Sequence, residues 1–151
     1  MGRGGEKRIH DKIENFQIGK AIKVHDGEEV AIFSAGAIFE EVQEAYDLLK
    51  ARGYSPKVYT FPTVKPLDKE VIEQCARDCR LVVTCEEHNV VGGFGSAVAE
   101  VIAELSGSKA RLLRIGIEDT YCTVVGSQKY LRGVYGIDAK SIAGKIEEAL
   151  A

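Results

Sequence analysis

The chain has 151 residues, 45% of them hydrophobic and 28% charged, with a formal net charge of −3. That length fits one domain with its own core, and the composition excludes a collagen-like, disordered or membrane-spanning class, since no apolar run approaches roughly 18 residues. The mild acidity gives no basic face for nucleic acid, and the charged N-terminus lacks the apolar block of a secretory signal.

Residues 1–8 carry no apolar periodicity and read as a mobile or linking segment; 1–15 is expected to be a linker from a preceding domain and 16–151 the domain. Ala21-Ile22-Lys23-Val24-His25 alternates and suits an edge strand. Asp26-Gly27 is a turn signal, and Val30-Ala31-Ile32-Phe33-Ser34 follows three residues later, so the first two strands are expected to form an antiparallel hairpin. Next comes a helix with Ile38, Val42, Ala45 and Leu49 on one face, stopped at Arg52-Gly53. Lys57-Val58-Tyr59-Thr60-Phe61 is the third strand. Asp68 then caps a helix carrying Val71, Ile72, Cys75 and Cys79.

The central stretch is a buried strand, Leu81-Val82-Val83-Thr84-Cys85, then a polar loop, Glu86-Glu87-His88. A glycine turn follows, Asn89-Val90-Val91-Gly92-Gly93-Phe94-Gly95-Ser96. Phe94, Ala97, Val98, Val101, Ile102 and Leu105 continue it as a helix. Arg111-Leu112-Leu113-Arg114-Ile115 is the fifth strand, residues 118–126 an irregular loop, and two short helices end the chain. Tyr121, Tyr130 and Tyr135 are expected to anchor those helices. The alternation of strand and helix predicts a three-layer α/β/α domain: a mixed five-stranded sheet, four strands parallel and one edge strand antiparallel. There is no internal repeat and no low-complexity tract.

In such a sheet ligands and partners meet the loops at the strands' carboxyl ends, which singles out residues 86–96. Glu86, Glu87 and His88 could do acid–base work, but three adjacent residues of an extended stretch cannot all point inward. The alternative is that one glutamate caps amides of the glycine turn while the rest are solvated. Gly92, Gly93, Gly95 and Ser96 lead into a helix N-terminus. They either bind an anion weakly or serve a steric end, letting the loop turn sharply and the helix pack close. The pattern is neither GxGxxG nor a P-loop. Cys75, Cys79, Cys85 and Cys122 show no metal-site spacing, and buried free thiols in a reducing cytosol are the expected state. Cys85 lies beside two acids and is a poor nucleophile. These residues contain no self-sufficient catalytic set.

The run from Val83-Thr84-Cys85-Glu86-Glu87-His88 through Gly92-Gly93-Phe94-Gly95-Ser96 to Glu100 resembles the signature of the transketolase C-terminal domain. Phe16-Gln17-Ile18-Gly19-Lys20-Ala21, the Asp26 to Gly36 stretch, Phe61-Pro62-Thr63-Val64-Lys65-Pro66-Leu67-Asp68, and Tyr130-Leu131 with Tyr135-Gly136-Ile137 agree in order and spacing. The same domain type closes deoxyxylulose-phosphate synthases and 2-oxoacid dehydrogenase beta subunits, and the histidine after the paired acids looks more like the first two enzymes. The resemblance implies a parent that uses thiamine diphosphate and Mg to move a two-carbon ketol unit between sugar phosphates. It implies that both groups sit on other domains, because the family's Gly-Asp-Gly…Asn metal signature is absent here. The chain is then expected to be inactive alone, as an excised domain or a short subunit. It would contact its preceding domains or subunit, or the rim of the active-site channel, through Glu86, Glu87, His88, Gly92, Gly93, Gly95 and Ser96, and would belong to a cytoplasmic homodimer. Nothing in the resemblance suggests a membrane or nucleic-acid partner. Arg3 stands where family members have an arginine in a Ser-Arg-Gln run that reaches the sugar phosphate, but its neighbours here are Gly2 and Gly4. A freestanding small-anion-binding module is the rival expectation.

Overall fold

The computed structural model describes residues 16–107 and 109–151. Strands β1 (Ile22–His25), β2 (Val30–Ala35), β3 (Pro56–Thr60), β4 (Leu81–Asn89) and β5 (Arg111–Ile117) form one sheet in the order β1-β3-β2-β4-β5. Strands β2 to β5 run parallel, and β1 pairs antiparallel with β3 at the edge.

Two layers of helix cover it. On one face α1 (Phe39–Ala51) and α5 (Ala139–Leu150) bury Val42, Ala45, Leu49, Ile142, Ala143 and Ile146 against Val30, Ile32, Val58, Leu81 and Val83. On the other, α2 (Lys69–Asp78) and α3 (Phe94–Glu104) bury Ile72, Ala76, Val98 and Ile102 against Ala31, Phe33 and Val82. A sheet buried on both faces needs strands apolar at nearly every position, and residues 30–33 and 81–83 are all buried. The seven-residue α4 (Gln128–Val134) lies near the end of β4. Caps fall where short polar side chains precede helices: Asp68 accepts from the Val71 amide, Ser127 from Tyr130 and Asp138 from Ser141.

The expected hairpin between the first two strands does not form. β3 lies between them, with Lys23 opposite Tyr59 and Ala31 opposite Lys57. The Asp26-Gly27 turn carries the chain past the start of β3. The Glu28 amide donates to Ser55 O at 2.9 Å, and a Cβ on Gly27 would collide with the backbone of Ser55, Pro56 and Lys57. Glu86, Glu87 and His88 are not a loop either, since β4 continues to Asn89 through a register shift against β5. The second helix stops at Asp78, and Cys79 is its C-cap with extended backbone. Of the tyrosines expected as anchors, Tyr121 and Tyr130 are exposed.

β3 lies on one side of β2 and β4 on the other, so the crossovers part between β2 and β4. Open α/β sheets form their crevice at such a reversal.

Candidate functional site

A cleft of about 890 Å³ opens there, with Ala35, Gly36, Ala37, Val64, Phe94 and Ala97 as apolar wall and Glu86, Glu87, His88, Glu100 and Gln128 as polar wall. Because residues 86–88 are extended, their side chains alternate between the faces of the sheet. The pattern follows: Glu86 turns to α3, Glu87 to α4, and His88 outward.

Glu86 is 3% exposed. Its Oε2 accepts the Phe94 amide at 2.7 Å and its Oε1 the Gly95 amide at 2.8 Å. A carboxylate at a helix N-terminus satisfies orphan donors and complements the helix dipole. The reading of one glutamate as a cap is therefore the observed one, and the cap comes from the neighbouring strand. The amides that an outside anion would use are taken. Glycine is needed because Glu86 sits so close: a Cβ on Gly93 would run into its carboxylate, and one on Gly95 would lie 2.6 Å from Thr84 Oγ1. Gly92 has φ +75, in the left-handed region. Its amide donates to Ser96 Oγ at 3.0 Å, and Ser96 Oγ donates to Val90 O at 2.9 Å. Arg114 from β5 locks the loop further, donating to Val90 O and Ser96 Oγ.

Glu87 is held on the other face. Arg132 Nη2 donates to its Oε2 at 3.0 Å, and Gln128 Nε2 contacts both carboxylate oxygens at 3.0 Å. Arg132 is 5% exposed and also donates to Glu41 Oε1 at 3.3 Å and Ala37 O at 3.0 Å. The second oxygen of Glu41 accepts the Ala139 amide at 2.9 Å, at the start of α5. One arginine thus ties α1, β4 and α4 together. Burial acts to lower its pKa, but the bonds to Glu87 and Glu41 outweigh that and raise it. Sequence reasoning missed Glu41, Arg114, Gln128 and Arg132. The signal for the buried pair was a glutamate inside an otherwise apolar helix face and an arginine on a short helix, 91 residues apart.

His88 is exposed, its Nδ1 3.0 Å from Asn89 O, on the opposite face from Glu87. The three polar residues therefore do not converge on one reacting atom. Burial pushes the Cys85 thiol to about 12, with Glu86 adding a smaller upward push, so it stays a thiol. Arg3 lies outside the described residues. Among the described residues, no three His, Cys, Asp or Glu side chains could hold a metal ion. No helix there is long and apolar enough to cross a membrane. The described residues do not fit a metal–diphosphate group: no metal donor set is found among them, and the Phe94 and Gly95 amides at the start of α3 are already bonded to Glu86.

Fold and cleft together define a class: an α/β domain with a mostly parallel, mixed sheet, covered on both faces, whose switch-point loop is bonded from within. The family model for "Transketolase, C-terminal domain" matches residues 19–142, and the chain belongs to that family. It is 40% identical over 152 residues to a putative transketolase C-terminal section of Methanocaldococcus jannaschii, covering 99% of this chain and 46% of that protein. It is also 40% identical over 138 residues to the 1-deoxy-D-xylulose-5-phosphate synthase of Syntrophotalea carbinolica, covering 91% of this chain and 22% of that protein. A solved split-gene transketolase, an inactive beta4 tetramer, superposes with a TM-score of 0.89 at 31% identity, covering 99% of this chain and 48% of the other. The chain thus spans half or less of the length of these relatives.

Proposed function

We propose that this chain is the assembly domain of a transketolase-type enzyme. The whole enzyme would use thiamine diphosphate and a divalent metal to transfer a two-carbon ketol unit between sugar phosphates. This chain docks on the domains or subunit that hold those groups, and does not turn over substrate by itself.

One observation carries the reading. Among the described residues, the large apolar side chains left exposed are Phe16, Ile18, Val64, Val91, Tyr121, Val125, Tyr130 and Val134. Val64, Val91, Tyr121 and Val125 follow the carboxyl ends of β3, β4 and β5. Phe16 and Ile18 precede antiparallel β1, whose Ile22 pairs with Thr60 at the end of β3. Tyr130 and Val134 lie on α4, beside Glu87. Exposed apolar residues gathered at one end mark an interaction surface. In the cleft at that end Glu86 and Glu87 are already paired within the chain, which suits a docking face better than a reaction centre. The similarity to a C-terminal section and to a split-gene protein supports a partner polypeptide.

A synthase parent is the second reading, favoured by the equal 40% identity to the deoxyxylulose-phosphate synthase. A freestanding anion binder lacks its donors, because Glu86 holds them.

The test is reconstitution. The chain is mixed with a polypeptide carrying the preceding transketolase domains and followed by gel filtration and ketol transfer. Association and activity are expected together, and Val91→Asp with Val125→Asp is expected to weaken association at least about tenfold. Ketol transfer by this chain alone would overturn the proposal.

A further inference from the structure

The cleft beside α3 carries a charge that its neighbours in the chain do not answer. Among the described residues three carboxylates line it, those of Glu86, Glu87 and Glu100, and no lysine or arginine does. The exposed imidazole of His88 is the remaining titratable group in its wall. We propose, resting on the docking role, that this cleft receives a lysine or arginine side chain of the partner polypeptide. The methylene stem lies on the apolar wall and the cation meets Glu100.

The charges do not cancel within the chain. Arg132 is one cation shared by two carboxylates, 3.3 Å from Glu41 and 3.0 Å from Glu87, and leaves that group with a net negative charge. Glu86 is held by the Phe94 and Gly95 amides, which are neutral donors. Arg114 bonds Val90 O and Ser96 Oγ and makes no ion pair with Glu86. Glu100 stands one turn beyond Ser96 on α3, exposed, and among the described residues it has no hydrogen bond or ion pair. A cleft lined by charge of one sign between apolar walls concentrates the potential. Water screens Glu100 in the free chain. A partner seated on the exposed apolar residues around the cleft would strip that water, and a carboxylate buried without a cation is costly. Val64 belongs both to the cleft wall and to the exposed apolar set, so the two surfaces are continuous.

The shape of the cleft favours a side chain over a free ion. At about 890 Å³ it is far larger than a metal or ammonium ion needs, and Ala35, Ala37, Val64 and Ala97 present methyl groups to it. Such a wall suits a long basic side chain, which buries its methylenes and keeps its charged end at a polar rim. Ala97 and Glu100 are three apart on α3 and share a face, which sets the carboxylate beside the wall that the stem covers.

Association of the chain with the polypeptide carrying the preceding transketolase domains is measured by biolayer interferometry from about 50 to about 500 mM salt. Glu100→Lys is expected to weaken it at least about thirtyfold at low salt, and the gap to wild type narrows as salt rises. Glu104→Lys, exposed one turn further along α3 and outside the cleft, is expected to change it less than about threefold. Each lysine and arginine of the partner is also replaced by alanine, alone and together with Glu100→Gln. One of them is expected to be coupled to Glu100 by at least about fivefold. Equal effects of Glu100→Lys and Glu104→Lys, or no coupled basic residue, would overturn the proposal while docking stands. Self-association of the chain that Glu100→Lys abolishes would make a second copy the occupant and overturn it too. If the two polypeptides do not associate in any form, docking itself falls and the proposal with it.

Discussion

The two ends of the sheet close in different ways. At the amino end, surface ion pairs and helix-end bonds do the work. Arg80 pairs with Glu29 at 2.6 Å with side chains 66% and 33% exposed, Arg80 and Arg111 donate to the last carbonyls of α5, and Arg52 pairs with Glu147. At the carboxyl end the pairing is internal: Arg132 between Glu41 and Glu87, and Glu86 on the amides of α3. Among the described residues, the large exposed apolar side chains lie at this second end. An end finished for water can use solvated charges. An end finished for a partner satisfies its polar groups within the chain and leaves apolar surface for the interface.

The largest difference should appear at Arg132. Arg132→Met leaves Glu41 and Glu87 without their cation and is expected to cost about 3 kcal/mol, as removing one member of a buried ion pair does. Urea unfolding of the isolated chain measures it. A cost under about 1 kcal/mol would erase the distinction between the two ends. Glu86→Ala strips the Phe94 and Gly95 amides of their acceptor and is expected to cost about 2 kcal/mol by the same measurement.

Asp138 sharpens the comparison through pH. Its hydrogen bonds with Ser141 at the start of α5 hold its pKa below the ordinary value, against an opposing push from burial. The folded form thus prefers the charged carboxylate. Its stabilisation, about 1 kcal/mol, is fully present above the unfolded pKa of about 3.9 and fades as pH falls through the lower folded value. The gap between wild type and Asp138→Ala should be constant from about pH 7 to pH 5 and close below about pH 4. The smallest effect belongs to the amino end: Arg80→Ala is expected to cost about 0.5 kcal/mol, and less in high salt.

Much of this architecture can be read from local pattern. The buried faces of α1 and α5, the Asp68 cap and a glutamate capping the glycine turn rest on residues close in sequence, and the strand–helix alternation carries the mostly parallel sheet. What the pattern hides is choice of neighbour. A turn of Asp26-Gly27 between two strands signals a hairpin, yet β3 takes the place beside β1, and the turn packs on the backbone of Ser55, Pro56 and Lys57 instead. Glu41 and Arg132 each have a local explanation, an acid in a helix's first turn and a base in a helix's last turn. Those explanations conceal the bond between them. Residues 86–88 are polar and so suggest a loop, but a strand can end in polar residues when some find partners off the sheet, as Glu86 and Glu87 do, and the rest face solvent, as His88 does.

Hydrogen exchange of the chain alone and with the polypeptide that carries the preceding transketolase domains tests the difference between the ends most directly. New protection is expected in residues 63–66, 90–92 and 118–127, with residues 27–29 and 79–80 unchanged. Protection confined to residues 27–29 and 79–80, or none at either end in a complex that transfers ketol units, would contradict it.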